Sequence, residues 1–228
     1  MNLKSFGCSF IFGNELADDG RHGPYATPSQ LTWPALLAKQ LGRNYECFAR
    51  PGAGNLQICE QVLNQIPSSA SSDFFVIGWT WIDRFDYYDA NFDRQKKRSP
   101  WSTLMPIDES DLAKTYYKYL HSEYRDKLST LNHIKLTIDS LNQAQIPFLM
   151  TFMDDLIFDK RWNISPAVSF LQDYSRKFMT QFEGLSFLDW SRQHNFAITQ
   201  AWHPLEPAHE AACAYLLEHQ KLPLNPAI

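Results

Sequence analysis

The stretch KSFGCSFIFGNEL, residues 4–16, decides the fold that we expect for this chain. A short apolar run ends at Gly7, two potential nucleophiles follow as Cys8 and Ser9, and a second apolar run ends at Gly13. A short apolar run that stops at a glycine is typical of a buried strand that leads into a turn. We therefore predict that the first strand ends near Gly7 and that both nucleophiles lie on the turn after it.

Four further apolar runs follow, and longer amphipathic segments separate them. After LKSF at 3–6, the runs are YECF at 45–48, FFVIG at 74–78, IPFLMTF at 146–152 and LSFLDW at 185–190. Strands that alternate with helices favour a parallel sheet covered by helices on both faces. We predict an α/β fold, namely a three-layer α/β/α sandwich whose five-stranded parallel sheet has the flavodoxin-like order 2-1-3-4-5.

The length of the chain favours a single domain over residues 1–228. A chain of 228 residues suits one α/β domain, and no linker-like segment divides it. The alternation of strands and helices is interrupted at about 79–108, a segment rich in Trp, Tyr, Phe and Asp. An irregular insertion of this kind is often a functional loop or lid.

The composition of the chain excludes several classes of protein. A net charge of −4 argues against a nucleic-acid-binding protein, which normally carries a basic surface. No apolar stretch reaches the ~18–20 residues of a membrane span, and the N-terminus does not resemble a signal peptide. The four cysteines show no paired spacing, which is typical of reduced thiols. We expect a cytoplasmic protein that binds neither nucleic acid nor membrane.

The candidate site residues follow the predicted strands or precede the last predicted helix. Ligands of an open parallel sheet bind outside the carboxyl ends of its strands. RPGAGNLQI at 50–58 follows the second strand, but its glycine spacing does not match a dinucleotide site. His203 precedes a proline just before the last helix, and His209 lies within that helix. No third ligand stands at zinc-site spacing, so we expect neither a metal nor a cofactor.

Taken in order along the whole chain, these blocks resemble those of the SGNH (GDSL-type) hydrolase superfamily. The opening Gly-Cys-Ser resembles a subgroup with Cys in place of the Asp of Gly-Asp-Ser. The resemblance implies a serine esterase in which Ser9 is the nucleophile and His203 the general base. It implies oxyanion donors at the backbone N–H groups of Ser9 and Gly52 and at Thr80, which replaces the usual Asn.

Ser9 is preferred to Cys8 as the nucleophile, although a thiol is intrinsically more reactive. Neighbouring residues on a turn point in different directions, and the resemblance places Ser9 at the reactive position. The expected partner is a small-molecule or carbohydrate ester that carries an O-acyl group such as acetyl. The aromatic insertion could form a stacking wall, with Trp79, Trp81 and Arg84 as substrate-binding residues.

One departure from the family pattern leaves the residue that orients His203 open. The family has Asp three residues before this histidine, whereas the chain has Gln200. The candidates are Gln200 itself, Asp189, Glu206 or a backbone carbonyl. A neutral amide cannot stabilise an imidazolium as a carboxylate does. The departures at Gln200 and Thr80 favour one alternative, a weakened relative that only binds a ligand. A further alternative is an acyltransferase that uses Ser9 and His203.

Overall fold

The computed structural model describes residues 1–20, 27–89, 100–220 and 222, and a parallel sheet forms its centre. Four strands in the order β2-β1-β3-β6 make up this sheet. All three pairings are parallel, and β1 lies between β2 and β3. The strands are β1 (Asn2–Phe6), β2 (Asn44–Cys47), β3 (Phe74–Trp79) and β6 (Phe148–Phe152).

The helices follow the strands in the alternation that the sequence predicts. None of the helices within the described residues is long and apolar enough to span a membrane. They are α1 (Ser9–Phe12), α2 (Trp33–Gln40), α3 (Asn55–Gln65), α4 (Asp111–Tyr119), α5 (Glu123–Gln143), α6 (Pro166–Arg176), α7 (Phe187–Gln193) and α8 (Glu206–His219).

Two apolar clusters on opposite faces of the sheet give the molecule three layers. Along β3, Phe74 and Val76 join a cluster that includes residues of α2, α7 and α8. Phe75 and Ile77 join the other cluster, with residues of α3, α5 and α6. Successive side chains of a strand point to opposite faces, so a strand buried on both faces is apolar throughout. The predicted α/β/α layering is confirmed.

The predicted fifth strand at 185–190 is wrong. Most of these residues belong to the start of α7, where the Ser186 hydroxyl accepts a hydrogen bond from the Asp189 N–H. Serine is a strong N-cap, and this cap gives the apolar run that follows it a helical start. Beyond β6, the sheet continues only as an isolated parallel bridge between Met150 and Met179 among the described residues.

The predicted insertion at 79–108 contains a small antiparallel sheet of its own. Strand β4 (Phe85–Tyr88) pairs with β5 (Trp101–Leu104), and residues 90–99 of the insertion lie outside the described part. The buried Asp86 carboxylate of β4 accepts hydrogen bonds from the N–H groups of Gly54 and Gln57 at the start of α3. This carboxylate fixes the insertion to the rim of the parallel sheet. Its negative charge also interacts favourably with the N-terminus of α3.

Two glycines let α1 approach the sheet closely. Gly7 follows β1 and Gly78 lies in β3, and the side chain of Ile11 packs over both. A Cβ atom on Gly7 would lie 2.5 Å from Ile11 Cγ1, and one on Gly78 would lie 2.7 Å from the same atom. Since Ile11 and Ser9 belong to one helical turn, this contact sets the height of Ser9 above the sheet.

We predict that Gly78→Ala lowers the free energy of unfolding by about 1–3 kcal/mol, because the added methyl overpacks against Ile11. Ile11→Ala alone should also destabilise the protein, since it leaves a cavity. The double variant should be less destabilised than the sum of the two, because Ile11→Ala removes the atoms with which the new methyl collides. Urea unfolding of the four proteins measures this coupling. Strict additivity would show that the contact is not tight.

His209 of α8 caps α2 from inside the core. Its ring is almost fully buried, and its Nδ1 accepts a hydrogen bond of 3.1 Å from the Trp33 N–H. Burial, which disfavours the charged ring, lowers the pKa of His209 to about 3. The ring is therefore neutral in the folded protein, where it packs in the core and caps α2.

This burial predicts a stability that falls with acid. The unfolded chain takes up a proton at His209 below about pH 6.5, whereas the folded chain resists protonation down to a pKa of about 3. The contribution is complete above pH 6.5, and by pH 5 about 2 kcal/mol of it is lost. His209→Asn keeps an acceptor for the Trp33 N–H but cannot titrate. We expect a flatter dependence of its unfolding free energy on pH between 7 and 5, and parallel curves would contradict this account.

Candidate active site

Ser9 is the first residue of α1, at the carboxyl end of β1. Its side chain is enclosed, and the residue is only 5% exposed. Cys8 precedes it with an extended backbone and packs into the core cluster that includes residues of α2 and α8. The two neighbouring side chains thus have different surroundings, as the sequence predicts for adjacent residues on a turn.

His203 lies at the end of a short hairpin loop, residues 197–205. Ile198 and Pro204 form an antiparallel bridge, and the Thr199 N–H donates to the His203 carbonyl at 3.0 Å. The Thr199 hydroxyl also accepts from the His203 N–H at 3.2 Å. Trp202 completes the turn in the left-handed region, with φ 68°. The contacts with Thr199 fix the backbone of His203 on both sides of its Cα atom, and this positions the imidazole.

The imidazole of His203 lies between a hydroxyl and a carboxylate. Its Nε2 is 2.9 Å from Ser9 Oγ, and its Nδ1 is 2.6 Å from Glu15 Oε2. A carboxylate can only accept, so Nδ1 carries the proton and donates to Glu15. Nε2 then accepts from the Ser9 hydroxyl. His203 is 8% exposed, and little water competes for these two contacts.

Glu15 is held in place by its own backbone and by Thr199. Its φ is 68°, a left-handed conformation that costs a residue with a side chain about 1–2 kcal/mol. The Asp19 carboxylate accepts from the Glu15 N–H at 2.8 Å, and the Thr199 hydroxyl donates to Glu15 Oε2 at 2.5 Å. Strained backbone of this kind concentrates at functional sites.

The three side chains expected to orient His203 lie elsewhere. Asp189 accepts from the Ser186 hydroxyl and pairs with Arg192 on α7. Glu206 accepts from the Ala17 N–H at 2.6 Å. Gln200 is exposed in the hairpin loop. The expectation for these three is corrected: the side chain at Nδ1 of His203 is Glu15.

The role of Glu15 is not predicted from the sequence, because no spacing rule points to this residue. It lies six positions after Ser9 in the same segment, whereas the family pattern places the acid just before the histidine. The available signal was local. Gly13 ends α1 in the left-handed region, with φ 88°, and polar residues follow at the rim of the sheet. An acidic residue directly after such a turn is a candidate for the site.

Gly52 and Thr80 belong to the loops after β2 and β3. Gly52 has φ 80° in the turn Arg50–Ala53, which the Ala53 N–H closes onto the Arg50 carbonyl at 3.1 Å. Pro at the second position and Gly at the third are typical of a type II turn. Thr80 is fully buried, and its hydroxyl has no hydrogen-bond partner within the described ranges.

Asn55 joins these two loops. Its amide oxygen accepts from the Thr80 N–H at 2.9 Å, and its amide nitrogen donates to the Thr80 carbonyl at 3.1 Å and to the Thr130 hydroxyl at 3.1 Å. The first residue of α3 therefore holds the loop after β3. No pattern in the sequence predicts this role of Asn55.

A cleft of about 460 Å³ opens beside His203. Aromatic and apolar side chains form much of its wall, and four polar side chains join them. The lining residues are Phe10, Trp81, Asp83, Arg84, Met105, Pro106, Ile107, Gln200, Ala201, Trp202 and His203. Burial is the main reason that the pKa of the Asp83 carboxyl lies above its usual value.

Of the three expected substrate-binding residues, two line the cleft and one does not. The Arg84 guanidinium stacks over Trp81, with 4.9 Å from Cζ to the ring centroid, and donates to the Ala53 carbonyl. The expectation for Trp79 is corrected, because its indole is fully buried in the core cluster beneath α3 and α5. It lies within β3, and its side chain points into the face of the sheet that these helices cover.

No group of three or more His, Cys, Asp or Glu side chains with a metal-binding arrangement occurs among the residues that the structure describes. The chemistry that the site itself offers is that of a hydroxyl, an imidazole and a carboxylate in a row. This order of groups can transfer a proton from the hydroxyl to the imidazole while the carboxylate stabilises the resulting charge.

No protein-family model matches the chain, and no curated protein sequence matches it. Several solved structures, however, do match the fold of this chain. A member of the lipolytic protein G-D-S-L family from Veillonella parvula has a TM-score of 0.53 and 10% identity, over 96% of this chain and 97% of that one. A structure described as a carbohydrate esterase with divergent catalytic and non-catalytic binding functions has a TM-score of 0.51 and 16% identity, over 97% of this chain and 69% of that one. The chain thus has the SGNH (GDSL-type) fold.

Proposed function

We propose that the protein is a serine esterase that hydrolyses an O-acyl ester of a small substrate at Ser9. The observation that carries the proposal is the row Ser9 Oγ, His203 Nε2 and His203 Nδ1, Glu15 Oε2, with separations of 2.9 and 2.6 Å. A serine hydroxyl is a weak nucleophile until an adjacent base removes its proton. Both distances are within the range that such a transfer requires.

In the first half of the reaction, Ser9 Oγ attacks the carbonyl carbon of the ester while its proton passes to His203 Nε2. The imidazolium that forms is stabilised by the Glu15 carboxylate at Nδ1. The carbon–oxygen bond to the leaving alcohol then breaks, and His203 returns the proton to that oxygen. The alcohol departs, and the acyl group stays on Ser9.

In the second half, water attacks the acyl-serine. His203 takes one proton from the water, the bond to Ser9 Oγ breaks, and the proton returns to Ser9. The balance is one ester and one water consumed, and one carboxylic acid and one alcohol released. If an acceptor alcohol replaced water in this step, the same residues would act as an acyltransferase.

The negative charge that develops on the carbonyl oxygen needs donors at the sheet rim. We assign this role to the Ser9 N–H, the Gly52 N–H and the Thr80 hydroxyl. The left-handed turn at Gly52 supports the assignment of its N–H. The Thr80 hydroxyl has no hydrogen-bond partner within the described residues, and because it is fully buried it must turn towards Ser9 to donate. Loss of one such donor costs about 3 kcal/mol of transition-state stabilisation in known hydrolases.

Glu15 also removes the main reason to favour a weakened, ligand-binding protein. That alternative rested on the neutral Gln200 at the position where the family has Asp, and on Thr80 in place of the usual Asn. With a carboxylate 2.6 Å from Nδ1, His203 does not depend on residue 200. An ester hydrolase is therefore the better reading of the site.

We predict that a fluorophosphonate labels the protein at Ser9 with one-to-one stoichiometry, because the reagent reports an activated serine. Peptide mass spectrometry locates the adduct. Ser9→Ala should abolish labelling, and Cys8→Ala, the adjacent control, should retain it. An unlabelled wild-type protein, or an adduct on Cys8, would refute the proposal.

We predict that Glu15→Gln lowers kcat/KM for vinyl acetate by up to about 10⁴-fold, because a neutral amide stabilises neither the required tautomer nor the imidazolium. Glu206→Gln is the matched control, since this acid accepts from the Ala17 N–H, two residues after Glu15, but does not contact the imidazole. It should stay within about threefold of wild type, the effect of roughly 0.6 kcal/mol. Equal losses in both variants would show that Glu15 only supports the loop.

A further inference from the structure

Trp202 combines three features that packing does not explain. Its φ of 68° is unfavourable for a bulky residue, and 54% of its surface is exposed. It lines the cleft next to His203. Arg192 stacks on its ring with 5.2 Å from Cζ to the centroid, and Trp81 lies 6.5 Å away, centroid to centroid. Backbone strain that exposes an apolar surface instead of burying it points to ligand binding.

We propose that Trp202 is the stacking platform for the leaving alcohol and that this alcohol is a neutral sugar ring. The inference rests on the proposed function and extends it to the substrate class. His203 returns the proton to the leaving oxygen, and Trp202 is its immediate neighbour in the same turn. The part of the ester that lies over the indole is therefore the alcohol and not the acyl group.

The charges of the cleft select a neutral, hydroxyl-bearing ligand. Asp83 and Arg84 line the cleft together. An alkyl chain laid over them would remove both from water without offering hydrogen bonds, which is costly. An anion would face the Asp83 carboxylate, and a cation would face the guanidinium group of Arg84. A sugar offers hydroxyls that can donate to Asp83 and accept from Arg84, and a flat apolar ring face for the indole.

The two polar side chains are well placed to act as a pair. Arg84 keeps one guanidinium nitrogen on the Ala53 carbonyl at 2.9 Å, which fixes its plane, and has further N–H groups for a ligand. Asp83 presents only acceptors when ionised. Donor and acceptor groups on one wall suit neighbouring hydroxyls of a single ring, and they distinguish a sugar from an aromatic alcohol.

The test compares 6-O-acetylglucose with ethyl acetate, because both release a primary alcohol from the same acyl group. In the wild type, kcat/KM should favour the sugar ester. In Trp202→Asn this preference should fall about tenfold, the size expected for one lost aromatic contact, through KM more than through kcat. Asn tolerates the left-handed backbone, so the melting temperature should not fall.

Trp162→Asn is the matched control. Trp162 is also exposed and left-handed, with φ 64°, but it donates to Glu123 and does not line the cleft. Its replacement should leave the preference for the sugar ester unchanged. An unchanged preference in Trp202→Asn, or a fall in its melting temperature with equal losses on both substrates, would overturn the proposal. The proposal would also be overturned if the wild type preferred ethyl octanoate to the sugar ester and Trp202→Asn removed that preference.

A binding measurement separates this inference from the proposed function. Titration of Ser9→Ala with 6-O-acetylglucose, followed by isothermal titration calorimetry, requires no turnover. Saturable binding that Trp202→Asn weakens about tenfold would support the platform even if the wild type hydrolysed neither ester, in which case only the esterase proposal fails. Absence of binding in Ser9→Ala, together with hydrolysis of ethyl acetate by the wild type, would overturn the proposal of a sugar alcohol and leave the esterase proposal intact.

Discussion

The contact between Glu15 and His203 is the interaction on which the site depends. It joins two segments that are 188 positions apart in the chain, and the neighbouring contact with Ser9 joins the same two segments. The proposed nucleophile and acid come from the single stretch between Gly7 and Glu15, while the proposed base comes from the hairpin loop before α8. The geometry of the site is therefore determined by the position of residues 7–15 relative to the hairpin loop.

The sheet and its glycines determine where that stretch sits. Gly7, directly after β1, and Gly78, in the neighbouring strand β3, allow Ile11 to approach within a distance that any side chain there would prevent. The loop opposite is determined by Thr199, whose hydroxyl bonds to both His203 and Glu15. These contacts offset the strain in the backbone of Glu15. The hydrogen bonds to Thr199 and His203 therefore maintain the conformation that places the carboxylate beside the imidazole.

The features that periodicity and turn chemistry control could be predicted from the sequence. The four strands of the parallel sheet and its helical layers follow from apolar runs that alternate with amphipathic segments. The run at 185–190 failed as a strand because a serine cap made it a helix, and a short apolar run does not distinguish the two. Trp79 failed as a ligand residue because composition cannot tell which face of a strand an aromatic occupies.

The site was only partly accessible from the sequence, for a different reason. Ser9 lies at the carboxyl end of β1, a point that the predicted parallel sheet defines, and His203 lies just before α8, where the family resemblance places the base. Glu15 depends on a left-handed turn that is set by tertiary contacts. Trp202 depends on the conformation of one loop. These last two positions are where local preference and structure disagree, as expected of functional sites.

The most direct test of the central claim is a crystal structure of the protein after reaction with diethyl 4-nitrophenyl phosphate. The account predicts phosphorus bonded to Ser9 Oγ, with the phosphoryl oxygen within hydrogen-bond distance of the Ser9 and Gly52 N–H groups and the Thr80 hydroxyl. It also predicts that Glu15 remains on Nδ1 of His203. Phosphorus on another residue, or an adduct whose phosphoryl oxygen faces solvent away from these donors, would contradict it.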